Sequence, residues 1–161
     1  MGLDMYLSEK HTGYLSSRDE DQPKRQRLAE MLNVELDAES FVDLEVFKEI
    51  GYWRKANAIH NWFVQTVQDG EDDCRRYRVS PKQLLDLRDR CEMVMSNRDL
   101  AMELLPPTSG FFFGSTDLDE YYYQDLEYTI GLLNRVLGEI SWETLKNDEY
   151  CDRQFYYQSS W

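Results

Sequence analysis

The apolar residues of this chain change their spacing along its length, and that change limits the fold more than any other feature. At the start, Leu3, Met5 and Leu7 alternate with Asp4, Tyr6 and Ser8. A period of two puts every second side chain on one face of an extended strand. Further on, from Trp53, the positions Ala56, Asn57, His60, Phe63, Val64 and Val67 fall at steps of three and four. That spacing makes one face of a helix. A chain that carries both periods needs both a sheet and helices to bury them.

Other segments fill in this outline. Ser80-Pro81-Lys82-Gln83 predicts a helix start, with Ser80 as cap, Pro81 at the first helical position and Gln83 closing a capping box. Leu84, Leu87, Cys91 and Val94 continue it as an apolar seam. The seam weakens near Asn97, so one helix or two precede Pro106. Thr116 predicts another helix start, with Asp119 at the capping-box position and a stripe of Tyr122, Leu126, Thr129, Ile130, Leu133, Val136 and Leu137. Gly70 and Gly138 read as stops. Residues 12–23 read as an exposed loop, and 24–33 as a short helix with Leu28, Met31 and Leu32 on one side. Residues 41–50 fit neither period. Residues 109–116 set three phenylalanines between two glycines, and such an apolar piece is expected to enter the core as an extended segment. The tail, with Cys151, Phe155, Tyr156, Tyr157 and Trp161, suits a strand. The expected fold is α+β: one domain over 1–161, with a small antiparallel sheet that includes the N- and C-terminal strands, packed against about three principal helices.

Composition narrows the functional classes. The net charge is -13, which disfavours direct binding to nucleic acid, because phosphates demand a basic surface. The excess is uneven: residues 117–149 hold nine acidic residues against two basic ones. Asp117, Asp119, Glu120, Asp125, Glu127, Glu139 and Glu143 are therefore candidates for a partner-binding acidic face, with a solvated surface as the plainer reading. The three cysteines, Cys74, Cys91 and Cys151, are odd in number and form no CxxC pair. That argues against a disulfide scaffold or a structural zinc site, and for a reducing compartment. No stretch approaches the ~20 apolar residues of a membrane span, and the first residues lack a secretory signal's basic and apolar regions. A soluble cytoplasmic protein is expected, with no membrane partner.

Chemistry concentrates in residues 51–64. On a helix, Trp53, Asn57, His60 and Val64 share one side, so Asn57 and His60 interrupt an apolar stripe. A buried polar group without a partner costs about 1–3 kcal/mol, so something in the fold must answer them. Three readings stand: a structural hydrogen-bond network, a ligand-contacting pair, and a catalytic His60. Arg54 and Lys55 lie beside that face and suit an anionic group, or serve as ordinary surface cations. Trp53, Arg54, Lys55, Asn57 and His60 form the candidate ligand site. The turn at Gly114-Ser115-Thr116 is a weaker anion site, because Asp117, Asp119 and Glu120 fill the following helical turn with negative charge. His11 and His60 are the only histidines and no paired ligand motif occurs, so no metal and no cofactor are expected. No P-loop, dinucleotide fingerprint or GxSxG elbow appears.

The blocks MGLDMYL, GYWRKANAIHNWFV, DDC, GFFFGST and YQSSW together resemble a widespread family of small phage and prophage proteins, over nearly the whole chain. Some members carry a phosphoglycerate-kinase label. That enzyme needs two lobes and glycine-rich phosphate loops, which this short chain lacks, so the label is set aside. The resemblance implies a setting rather than a mechanism. It points to an accessory protein that occupies a host protein, such as a defence nuclease complex with a basic nucleic-acid-binding surface. It also directs attention to Trp53, Arg54, Lys55, Asn57, His60, Trp62, Asp72, Asp73 and residues 110–116. The alternatives are a protein that sequesters a nucleotide signal and a hydrolase that uses His60.

Overall fold

The structure is a computed structural model, and it describes residues 2–37, 39–147 and 153–161. Cys151, Asp148 and Glu149 lie outside the described residues. The fold is α+β, and the described residues form a four-stranded antiparallel sheet and six α-helices. The strands are β1 (Asp4–Leu15), β2 (Val42–Arg54), β3 (Tyr77–Val79) and β4 (Gln154–Ser160), in the order β2-β1-β4-β3. The C-terminal strand thus lies beside the N-terminal one. The helices are α1 (Gln22–Leu32), α2 (Asn57–Val67), α3 (Pro81–Ser96), α4 (Ala101–Leu104), α5 (Glu120–Leu137) and α6 (Trp142–Asn147). None is long and apolar enough to cross a membrane.

The chain divides into two compact units, Met1–Glu9 with Glu49–Trp161, and Lys10–Lys48. The smaller unit holds α1 and the facing parts of two strands. Its interior is organised by Arg25, only 3% exposed. The Arg25 guanidinium donates to the carbonyls of Ser40 at 2.7 Å and of Asp37. Backbone carbonyls here replace the carboxylate that a buried arginine usually needs. Two expectations fail in this unit. Residues 12–15 continue β1 rather than forming a loop. The helix over 24–33 exists, but Met31 and Leu32 are exposed, and its one buried residue is Arg25. Amphipathic spacing marks a side; it does not guarantee a partner for that side.

The larger unit contains the main core. In β1, Met5 and Leu7 are buried while Asp4, Tyr6 and Ser8 are not. In β4, Phe155 and Tyr157 are buried while Tyr156 and Gln158 are not. The inward residues meet α2, and the Phe63 and Tyr157 rings stack with centroids 3.8 Å apart. Gly51 of β2 admits α5: a Cβ there would stand 2.3 Å from Cδ2 of Leu132.

Local signals set several boundaries. Ser80 Oγ accepts from the Gln83 N–H at 3.1 Å, and Gln83 Oε1 accepts from the Ser80 N–H at 2.9 Å. This capping box starts α3, which stops at Ser96 before the separate short α4. Residues 41–50, ambiguous by period, belong mostly to β2. Trp53 and Arg54 also belong to β2, and the helix begins only at Asn57. The backbone turns at Lys55, which adopts the left-handed φ of 62°. Its N–H donates to the Leu3 carbonyl at 2.8 Å. The next helix starts at Asp119, not Thr116, because the Asp119 carboxylate accepts the Tyr122 N–H at 3.1 Å. In residues 109–116 only Phe113 enters the core. Phe111 and Phe112 are 81% and 50% exposed, and the segment is a turn rather than an extended piece.

Candidate functional site

The polar residues flagged on α2 separate into an interior group and a cleft group. His60 is completely buried. Its Nδ1 lies 2.7 Å from the Tyr157 hydroxyl and its Nε2 lies 3.0 Å from Asp72 Oδ2. Burial and the charge of Asp72 hold the Tyr157 phenol well above its usual range, so that hydroxyl keeps its proton. Asp72 uses its other oxygen to accept from the Trp161 indole at 3.0 Å. This chain of bonds ties α2, the turn after it and the end of β4 together. Both nitrogens of His60 are engaged, neither with Cys74.

Trp53 is also interior, 2% exposed, and its indole donates to Thr129 Oγ1 at 2.8 Å. Asn57 braces the 106–115 segment. Its amide donates to the carbonyls of Ser115 at 2.7 Å and Phe113 at 3.2 Å, and its oxygen accepts from the Thr108 N–H at 3.3 Å. The two glycines of that segment each have a reason. A Cβ at Gly110 would stand 2.4 Å from the Phe113 ring, and Gly114 adopts φ 94° against Lys55. L-residues other than glycine rarely take such a conformation.

Bracing this segment against the β2–α2 junction leaves a cleft of about 430 Å³. One wall is Arg54, Lys55 and Asn57, another is Gly114, Ser115 and Asp117, and α5 closes it with Asp119, Tyr121, Tyr122 and Asp125. The volume falls at the smaller end of ligand clefts. Its two sides have opposite charge. Arg54 is largely exposed, with its Nε 3.9 Å from Asp4. Asp117 accepts from Ser115 Oγ at 2.9 Å, and Asp119 caps α5. Burial, and then the charge of Asp119, push the Asp125 carboxyl up to about 6. A carboxyl shifted this way inside a cleft marks a site in physical terms. Tyr121, 75% exposed, stands at the mouth. Periodicity gives no signal for Tyr121, because it lies off the buried stripe of α5.

The acidic residues do not form one uniform face. Asp117, Asp119 and Asp125 turn to the cleft, Glu120 and Glu127 are exposed on α5, and Glu143 is exposed in the first turn of α6. Glu139 pairs with Arg153 at 2.7 Å. Among the described residues, no group of three His, Cys, Asp or Glu side chains is placed to hold a metal ion. No protein-family model, curated protein or solved structure matches the chain.

Proposed function

We propose that the protein is a non-catalytic binding protein whose cleft takes a small ligand of the nucleotide class. One observation carries this reading: the cleft joins cationic Arg54 and Lys55, carboxylates that accept hydrogen bonds, and an exposed tyrosine ring. A nucleotide offers a matching set of an anionic phosphate, an amino-bearing base edge and a flat ring that stacks. The buried state of His60 supports binding over turnover, since its nitrogens serve the interior. Arg54, Lys55, Asn57, Gly114 and Ser115 of the cleft lie in two of the blocks on which the resemblance to phage proteins rests, whereas its α5 side lies outside them. On this reading the protein works in a host cytoplasm and sequesters a nucleotide signal.

Thermal denaturation with a panel of nucleoside mono-, di- and cyclic phosphates tests it. A binder at 100 times its dissociation constant raises stability by about 2.7 kcal/mol. Lys55→Ala, which keeps the backbone type, is expected to remove most of that gain. A panel that leaves the wild-type transition unmoved contradicts the proposal.

A second reading has its own support. Phe111 and Phe112 are exposed, with ring centroids 4.2 Å apart. Exposed aromatic pairs commonly anchor protein partners. With Glu120, Glu127 and Glu143 exposed as well, the surface suits a host protein carrying a basic nucleic-acid-binding face, such as a defence nuclease complex.

A further inference from the structure

The sheet of the larger unit has a second face, whose chemistry runs against the charge of the whole chain. Residues that point away from the helices alternate with the buried ones. They include Tyr52 and Arg54 on β2, Tyr6 on β1 and Tyr156 on β4. On β3, Arg78 pairs in register with Tyr156 and so shares its side. Tyr52, Arg54 and Arg78 are exposed, and Tyr6 and Tyr156 are half-buried. Three tyrosine rings therefore sit on three neighbouring strands, with Tyr6 and Tyr52 centroids 5.4 Å apart.

The local charge is reversed. Across residues 4–8, 50–54, 76–78 and 154–158 there are three arginines and one acid, Asp4. Asp4 is already engaged by the Tyr52 hydroxyl and lies near Arg54. In a protein of net charge -13, a cationic and aromatic sheet face is out of keeping with the rest. The negative charge elsewhere acts weakly on it, because fields are screened over about 8 Å at physiological salt.

We infer that this outer sheet face binds single-stranded nucleic acid, with the tyrosine rings stacking on bases and Arg54 and Arg78 meeting phosphates. Outward aromatics on a four-stranded sheet are suited to unstacked bases, whose flat faces are free only in single strands. Three strand spacings separate β2 from β3, about 14 Å, which is room for two or three bases. Arg54 also borders the cleft, whereas Tyr6, Tyr52, Arg78 and Tyr156 do not, so variants at Tyr52 and Arg78 test the inference apart from the function proposed above.

Fluorescence anisotropy with labelled oligothymidylate and oligouridylate, on the full chain, tests it. The two probes separate DNA from RNA as the preferred source. Saturable binding is expected, with Tyr52→Ser and Arg78→Glu each weakening it about five-fold or more. A four-fold rise in salt is expected to weaken it roughly seven-fold, the release due to two phosphate contacts on a single strand. Melting curves establish that both variants fold. No binding at about 100 μM, the weak end of non-specific affinity, overturns the inference. Equal competition by duplex DNA, or binding unchanged in both folded variants, overturns it too. So does a protein partner on this face with no oligonucleotide binding.

Discussion

Asp125 shows how one residue connects the cleft to stability. Its carboxyl is raised to about 6, first by burial and then by the charge of Asp119. The ordinary value is 3.8. Between these values the folded state holds a proton that the unfolded state has released. Stability contributed by this group therefore falls as pH rises through that window, and the cost persists above about 6. Asparagine keeps the shape and removes the charge. After allowance for its partial exposure, Asp125→Asn is expected to be more stable by about 1 kcal/mol near pH 7.5, and to lose that advantage near pH 4. Urea denaturation at the two pH values measures this. An advantage of equal size at both would show that the charge carries no such cost. His60 makes the contrasting case: its polar atoms are matched to Tyr157 and Asp72 within the interior.

At the scale of elements, Gly51 decides how closely α5 approaches the sheet. Leu132, 2% exposed, occupies the space that a Cβ would need. Gly51→Ala is expected to destabilise by about 1–2 kcal/mol through overpacking, and paired Gly51→Ala with Leu132→Ala to cost less than the sum of the two. Denaturant titration of the three variants checks this; additive losses would contradict the contact. The same elements show what the residues reveal in advance. The Ser80–Gln83 box was legible because its partners are three residues apart. The alternation of Leu3, Met5 and Leu7 was legible because a single face of β1 is buried, and the tail strand beside it through its run of aromatic residues. The start of α2 was not. Trp53 continues the apolar spacing of the helix, yet a left-handed Lys55 bonded to Leu3 ends the strand there. That bond joins residues far apart in sequence, and no local pattern announces it. Arg25 and the Phe111–Phe112 pair mislead in opposite directions, a buried cation and exposed apolar rings.

Over the whole molecule, the candidate site is assembled from the β2–α2 junction, the stretch that leads into α5, and α5 itself. Arg54 and Lys55 were visible as cations beside an apolar stripe, and Asp125 as one acid among many. Their meeting depends on Asn57, whose bonds to Phe113, Ser115 and Thr108 bring the middle stretch into place. The net charge, by contrast, describes no single surface: carboxylates gather at the cleft and on α5, while Arg54 and Arg78 stand on the outer sheet face. On the function proposed above, the ligand binds in the cleft. Amide chemical-shift mapping with the nucleotide that gives the largest thermal shift tests it most directly. The largest changes are expected at Lys55, Ser115, Tyr121 and Asp125, with small ones along α3. Changes concentrated away from the cleft, with those four residues unmoved, would contradict it.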